Sequence, residues 1–269
     1  MTAAPPPPAV PRPAASVLLV RPGGACPVEV YMIRRQKSMR FLGGFYAFPG
    51  GKVEATDGAE EALGRCRGVS SATAAAVFPA ADGIPPLAFW VTAARELVEE
   101  TGLLVGCDAD DRPVDTRDPA VRDRVERLRH ALVGEEAPFH TLLAREGWHL
   151  DLAPFRYLSH FITPPSSPIR FTARFFLAPV PAGQEPRLLG GEASEGFWID
   201  PAEGHRRFRA GKMPMAEPAD SGLAYIAGFD TLDDVWAAHT DGRHKFHGIN
   251  DRIEAAGFSI PRSKRVGQS

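Results

Sequence analysis

The apolar positions of the chain fall into short runs with two different periods. Residues 15–21 (ASVLLVR) are an almost unbroken apolar run of strand length and predict a buried strand. After Gly23-Gly24 the chain alternates over residues 28–34 (VEVYMIR), which predicts the next strand. Residues 45–48 lead into a Pro49-Gly50-Gly51 turn. Asp57 and Glu60 have capping-box spacing and predict a short helix running towards Arg67. Residues 70–86 are small and Pro/Gly-rich and predict a loop. The period then becomes helical: Trp90, Ala94, Leu97, Val98 and Thr101 share one side of a helix over residues 87–101. Pro85-Pro86 suits its first turn and Gly102 its C-terminal stop. Further helices are predicted over 118–133 and 138–147, strands over 169–179 and 196–199, and helices over 201–210, 221–227 and 232–239. Strands interrupted by helices predict an α/β sandwich with a mixed sheet. No Gly-x-Gly-x-x-Gly follows the first strand, so the dinucleotide-binding arrangement is excluded.

Composition narrows the function classes. With 44% apolar residues in 269, the chain can bury a large core. The formal net charge of −2, from 31 basic and 33 acidic residues, provides no broad basic field for nucleic acid. No apolar run reaches membrane-spanning length. Cys26, Cys66 and Cys107 are an odd number without metal-ligand spacing, which leads us to expect a reducing, cytoplasmic setting. Residues 1–14 are Pro/Ala-rich and are expected to be a disordered tail, leaving residues 15–269 as one domain.

The chemistry concentrates in Arg95-Glu96-Leu97-Val98-Glu99-Glu100-Thr101-Gly102-Leu103. Helical spacing puts Glu96 and Glu100 one turn apart and lets Arg95 pair with Glu99. Three carboxylates on so short an arc repel one another unless a cation lies between them, and hard oxygen ligands suit Mg²⁺, Mn²⁺ or Ca²⁺. A solvated, charged helix face is the plainer alternative.

Together with Gly51, this run resembles the Nudix box, Gly-x5-Glu-x7-Arg-Glu-U-x-Glu-Glu-x-Gly-U with U aliphatic. Its second half matches at every specified position, from Arg95 to Leu103. Asp57 replaces the expected first Glu, and residues 58–94 stand where the pattern has seven. We read this insertion as a surface excursion rather than a new domain. An insertion inside the box is similar to one branch of the Nudix hydrolases, which includes a mammalian peroxisomal coenzyme A diphosphatase. Residues 41–51 (FLGGFYAFPGG), 162–165 (ITPP), 170–178 (RFTARFFLA) and 195–201 (EGFWIDP) resemble that branch as well. The resemblance implies a Nudix-type α/β/α sandwich, with residues 201–269 as a helical C-terminal extension.

It also implies a Mg²⁺- or Mn²⁺-dependent hydrolase that cuts a diphosphate linkage in a small molecule. Glu99 and Glu100 are then expected as direct metal ligands, with Glu96 beside them and the Gly51 carbonyl as a further donor. Arg95 orients Glu99. Asp57 has one methylene less than Glu, and an N-cap role is an equal alternative. For the water-activating base, Glu195 and Glu192 precede the last strand in a Gly-rich loop, where a solvated loop acid is as good a reading. His160, beside Phe161, reads better as a packed, hydrogen-bonded residue.

For substrate, Arg34, Arg35, Lys37 and Arg40 precede the box. Arg35, Arg40, Gly44 and Phe48 to Gly51 partly fit the spacing Arg-x4-Arg-x3-Gly-x3-Phe-Pro-Gly-Gly of a coenzyme A signature, without the residues that precede it there. Arg170 and Arg174 alternate with apolar residues in a predicted strand and could grip phosphate or form ion pairs. Coenzyme A or an acyl derivative is the leading expectation. Nucleotide sugars, NADH or ADP-ribose, or a catalytically silent ligand-binding module, are the alternatives. A homodimer is expected from the resemblance.

Overall fold

The computed structural model describes residues 8–80, 83–189, 191 and 193–239. Its main sheet begins with β1 (Arg12–Pro22) and β2 (Val28–Arg35), an antiparallel pair with Val20 opposite Val30. The short strands β3 (Tyr46–Ala47) and β4 (Gly50–Lys52) follow; β3 pairs with β2 and β4 with β1. A 3-10 turn (Ala55–Gly58), helix α1 (Glu60–Leu63), strand β5 (Cys66–Arg67) and helix α2 (Ser71–Val77) lead to the long helix α3 (Pro86–Thr101). Strand β6 (Gly106–Cys107), helices α4 (Pro119–Val133) and α5 (Phe139–Glu146) and strand β7 (His149–Asp151) come next. Strands β8 (Arg156–Ile162), β9 (Phe171–Pro179) and β10 (Ala193–Ile199) complete the main sheet in the order β10-β2-β1-β9-β8. Helices α6 (Pro201–Arg209), α7 (Glu217–Ile226) and α8 (Leu232–Ala237) close the described chain.

The sheet is mixed because β1 runs antiparallel to β2 but parallel to β9. Central β1 explains the unbroken apolar run. Val17 and Leu19 join α3, α4 and α5 in one core, while Leu18 and Val20 join α7 and α8 in the other. Alternate side chains of one strand thus serve both layers, and the expected α/β/α sandwich is present.

Three expectations are corrected. β1 begins at Arg12, inside the expected tail, because the missing N–H of Pro13 costs the ladder nothing: Arg12 N donates to the Arg170 carbonyl, and the Pro13 carbonyl accepts from Val53 N. Met1 to Pro7 lie outside the described residues. The loop expected over 70–86 contains α2, which Ser70 caps by accepting from Thr73 N at 3.0 Å; its alanines favour helix. The insertion is no surface excursion. Ala74 and Phe78 are buried, Phe78 stacks on Trp90 at 5.3 Å, and β5 pairs with β7 in a second small sheet, β5-β7-β6. The expected helices after Pro201 are present as α6, α7 and α8, and they pack on the second face of the sheet; residues 240–269 of that extension lie outside the described residues.

Candidate active site

The box is assembled by α3, β4 and the 3-10 turn. Gly102 ends α3 with φ of 74°, a conformation that glycine adopts without strain, and its N–H bonds the Val98 carbonyl at 2.9 Å. On the side of α3 facing β4, Arg95 is buried and every arm of its guanidinium is engaged. Nε donates to Asp57 Oδ1 at 3.0 Å, Nη2 to Asp57 Oδ2 at 3.1 Å and to the Lys52 carbonyl at 2.7 Å. Nη1 donates to Glu96 Oε1 at 2.9 Å and to both Glu99 oxygens at 3.1 Å. Burial alone would lower the Arg95 pKa, but Glu96, Asp57 and Glu99 outweigh it and raise it above its usual value. Arg95 therefore orients Glu99, as its helical spacing suggested, and Glu96 as well.

Asp57 is not an N-cap. It is the third residue of the 3-10 turn; its Oδ2 accepts from Glu54 N at 3.0 Å and from Thr92 Oγ1 at 2.8 Å. The shorter acid reaches Arg95 because the turn carries its backbone up against α3.

The remaining carboxylates face β4. Glu100 Oε2 accepts from Gly50 N at 2.7 Å. A Cβ on Gly51 would lie 2.2 Å from Glu96 Oε1, so the bare glycine makes room for that carboxylate. Burial pushes the Glu96 carboxyl up to about 8 despite Arg95, and burial likewise raises Glu99. These groups form one wall of a cleft of about 720 Å³. Lys52, Glu54, Glu135 and Glu136 also line it, and Leu132, Val133, Pro138, Phe139 and Leu189 supply an apolar wall.

A divalent cation fits this wall. Glu96, Glu99, Glu100 and the Gly51 carbonyl are hard oxygen donors, and burial raises the Glu96 and Glu99 carboxyls, with Glu99 adding to the shift of Glu96 and Glu54 to that of Glu99, a penalty on the charged acids that a bound cation would relieve. Among the described residues no three acidic, His or Cys side chains already converge as a cage; Glu96 and Glu99 turn to Arg95 instead.

Other candidates lie elsewhere. Glu195 projects from β10 with Arg34 Nη1 4.0 Å away and does not line the cleft; Glu192 lies outside the described residues. Arg174 is buried, its guanidinium 4.3 Å from the Phe78 ring and 4.2 Å from the Phe89 ring, so it does not reach the cleft. Its expected substrate contact is replaced by a packing role beneath the insertion. His160 bonds Thr172 Oγ1 at 2.7 Å, and burial beside Arg174 lowers its pKa to about 4, which makes it a neutral, packed histidine. Arg170 ties Thr163 to Ala9 through their carbonyls. Arg35 ends β2 and Arg40 follows it, both outside the cleft lining; among the described residues the buried Arg35 Nε meets no acceptor.

Sequence reasoning missed the cleft's far wall, since the α4–α5 turn carries no chemical motif. It also missed Arg129, the fourth member of a buried helical stripe with Val125, Leu128 and Leu132. A cation on an otherwise apolar helix face was the available signal.

A mixed sheet between two helical layers thus carries an Arg-bridged carboxylate wall on α3, facing the Gly50-Gly51 turn. No protein-family model matches the sequence, and no curated protein does. Among solved structures, a Nudix hydrolase from Alicyclobacillus acidocaldarius is 30% identical with a TM-score of 0.70, covering 85% of this chain and 96% of its own. The chain belongs to the Nudix hydrolases, whose chemistry is hydrolysis of diphosphate and related anhydride linkages. Weaker likenesses include a MutT Nudix hydrolase from Burkholderia pseudomallei (14% identity, TM-score 0.41, 80% of this chain and 97% of that). A Nudix hydrolase from Nitrosomonas europaea is similar at 13% identity and a TM-score of 0.41, covering 84% and 95%.

Proposed function

We propose that this enzyme hydrolyses the diphosphate linkage of coenzyme A or an acyl-coenzyme A, with Mg²⁺ or Mn²⁺ held by Glu96, Glu99, Glu100 and the Gly51 carbonyl. The observation that carries the reading is the cleft's two-sided character. Its acidic wall suits a cation-bound diphosphate, and its apolar wall of Leu132, Val133, Pro138, Phe139 and Leu189 suits a long, weakly polar arm. The cleft's lining cations among the described residues are Lys52 and Arg95, and Arg95 is committed to carboxylates. A polyanion therefore needs the metal to enter.

When bound, the metal neutralises the phosphate oxygens and acidifies a water molecule. The chain's own part is to hold the acids: Asp57 fixes Arg95, Arg95 fixes Glu96 and Glu99, and Gly50 N–H fixes Glu100. Glu54, Glu135 and Glu136 line the same cleft and are our candidates to accept a proton from the attacking water.

The test is product analysis on coenzyme A, acyl-coenzyme A, NADH, ADP-ribose and nucleotide sugars, with Mg²⁺ and with Mn²⁺. Phosphopantetheine, or its acyl form, together with 3′,5′-ADP is the expected outcome. Cleavage confined to the other nucleotides would remove the coenzyme A reading and leave the hydrolase.

A further inference from the structure

Arg129 lies 30 residues from Glu99 in sequence and is among the largest fully buried side chains, with 1% exposure. It reaches out of α4 to the end of α3, where Nε and Nη2 donate to the Glu99 carbonyl at 3.2 and 3.0 Å. That carbonyl is one of the last four of the helix, which have no partner within it. Its neighbours are satisfied by backbone: Gly102 N takes the Val98 carbonyl and Arg187 N the Thr101 carbonyl. At Gly102 the fit is tight, for a Cβ there would stand 2.8 Å from Arg129 Nη1. Burying a guanidinium is costly, and a neutral donor would cap a helix end at less expense. The charge has another use at this place. It faces the negative end of the helix dipole immediately behind Glu99 and Glu100.

Glu99 is thereby held at both ends, its carboxylate by Arg95 and its carbonyl by Arg129. We infer that Arg129 is a positioning residue for the metal-binding carboxylates Glu99 and Glu100, acting through the last turn of α3. The inference rests on the acidic wall being the cation site. The same helix α4 ends in Leu132 and Val133, which line the substrate cleft, so one element sets both the acids and the wall opposite them.

The experiment measures Mn²⁺ affinity by electron paramagnetic resonance, alongside kcat, KM and melting temperature, in the wild type, Arg129→Met and Arg129→Lys. Arg129→Met should weaken Mn²⁺ binding and kcat by about 10-fold or more, the usual effect of losing a group that orients metal ligands, with KM within about twofold. Arg129→Lys, which keeps the charge and a donor, should recover most of both. Arg124→Gln is the stability control: Arg124 joins α4 to α5 through the Glu146 carboxylate at 2.6 Å and carbonyl at 2.7 Å, away from α3. It should lower the melting temperature and leave Mn²⁺ affinity unchanged. If Arg129→Met does not fold, Arg129→Gln replaces it. Wild-type Mn²⁺ affinity in a folded Arg129→Met or Arg129→Gln variant overturns the inference. A wild type that binds no Mn²⁺ overturns the cation site and this inference together.

Discussion

Asp57 grips Arg95 with both carboxylate oxygens, at 3.0 and 3.1 Å, while both side chains are almost wholly buried. The box pattern has Glu at this place, so the pair is built with a shorter acid and a closer backbone. Removing Asp57 takes away two of the guanidinium's bonds and leaves it buried beside two glutamates with the Lys52 carbonyl as its one backbone acceptor. Asp57→Ala should cost about 3–5 kcal/mol, the usual result of breaking a buried pair from one side. Asp57→Glu has to fit a further methylene into a filled slot and should cost about 1–3 kcal/mol. Denaturant midpoints measure both; an Asp57→Glu variant more stable than wild type would show that the slot has spare room.

Thr92 closes this network from α3, donating to Asp57 Oδ2 at 2.8 Å and to the Ala88 carbonyl at 2.9 Å. Its hydroxyl is buried, so Thr92→Val leaves an acceptor short of a partner. The expected loss is about 1–3 kcal/mol of stability with activity retained, because Arg95 still holds Asp57 through two other bonds. Activity falling in step with stability would place Thr92 nearer the chemistry than its geometry does.

The legible parts of the structure were those with local causes. Gly102, the prolines before Leu87 and the run of acids marked α3 because caps and period act within a few residues. β1 was legible because a strand buried on both faces must be apolar throughout. β8 and the three short strands of the second sheet were missed, since partners distant in sequence make such strands. The insertion misled for a similar reason: its alanines fit a loop and a helix equally until Ala74 and Phe78 meet α3. At the site, Arg95 to Glu100 could be read directly. The wall from Leu132 to Phe139 could not, because apolar residues lining a cleft resemble apolar residues in a core.

Glu99→Gln removes a carboxylate that we propose holds a cation, while nearly preserving its shape. Turnover should fall by about 10²-fold or more. The fold should persist, because Gln still accepts from Arg95 and burial already disfavours the Glu99 charge. Wild-type-like turnover would sink the ligand assignment.

Gly51→Ala tests the close approach of β4 to Glu96. The added methyl would meet Glu96 Oε1 at 2.2 Å and displace the carboxylate, whereas its backbone needs no glycine conformation. Metal affinity should drop by about 10-fold or more, with a stability change of about 1 kcal/mol. Unchanged Mn²⁺ binding by paramagnetic resonance would show that Glu96 can move aside without consequence.

Burial pushes the Glu96 carboxyl up to about 8, Arg95 opposing and Glu99 reinforcing the shift. In the unfolded chain a glutamate titrates near about 4.3. Between those values the folded protein holds a proton that the unfolded chain has lost. Without metal, stability from this group is therefore fully present below the unfolded pKa and declines as pH rises towards the folded one. A divalent cation binds the deprotonated acid, so its stabilising effect must grow over the same window. Melting temperatures from about pH 5 to about pH 8.5, with a chelator and with excess Mg²⁺, should start close together and separate as pH rises. Glu96→Gln should flatten the chelator curve. Two curves that stay parallel across the window, or an unaltered chelator curve in Glu96→Gln, would remove Glu96 as the linked group.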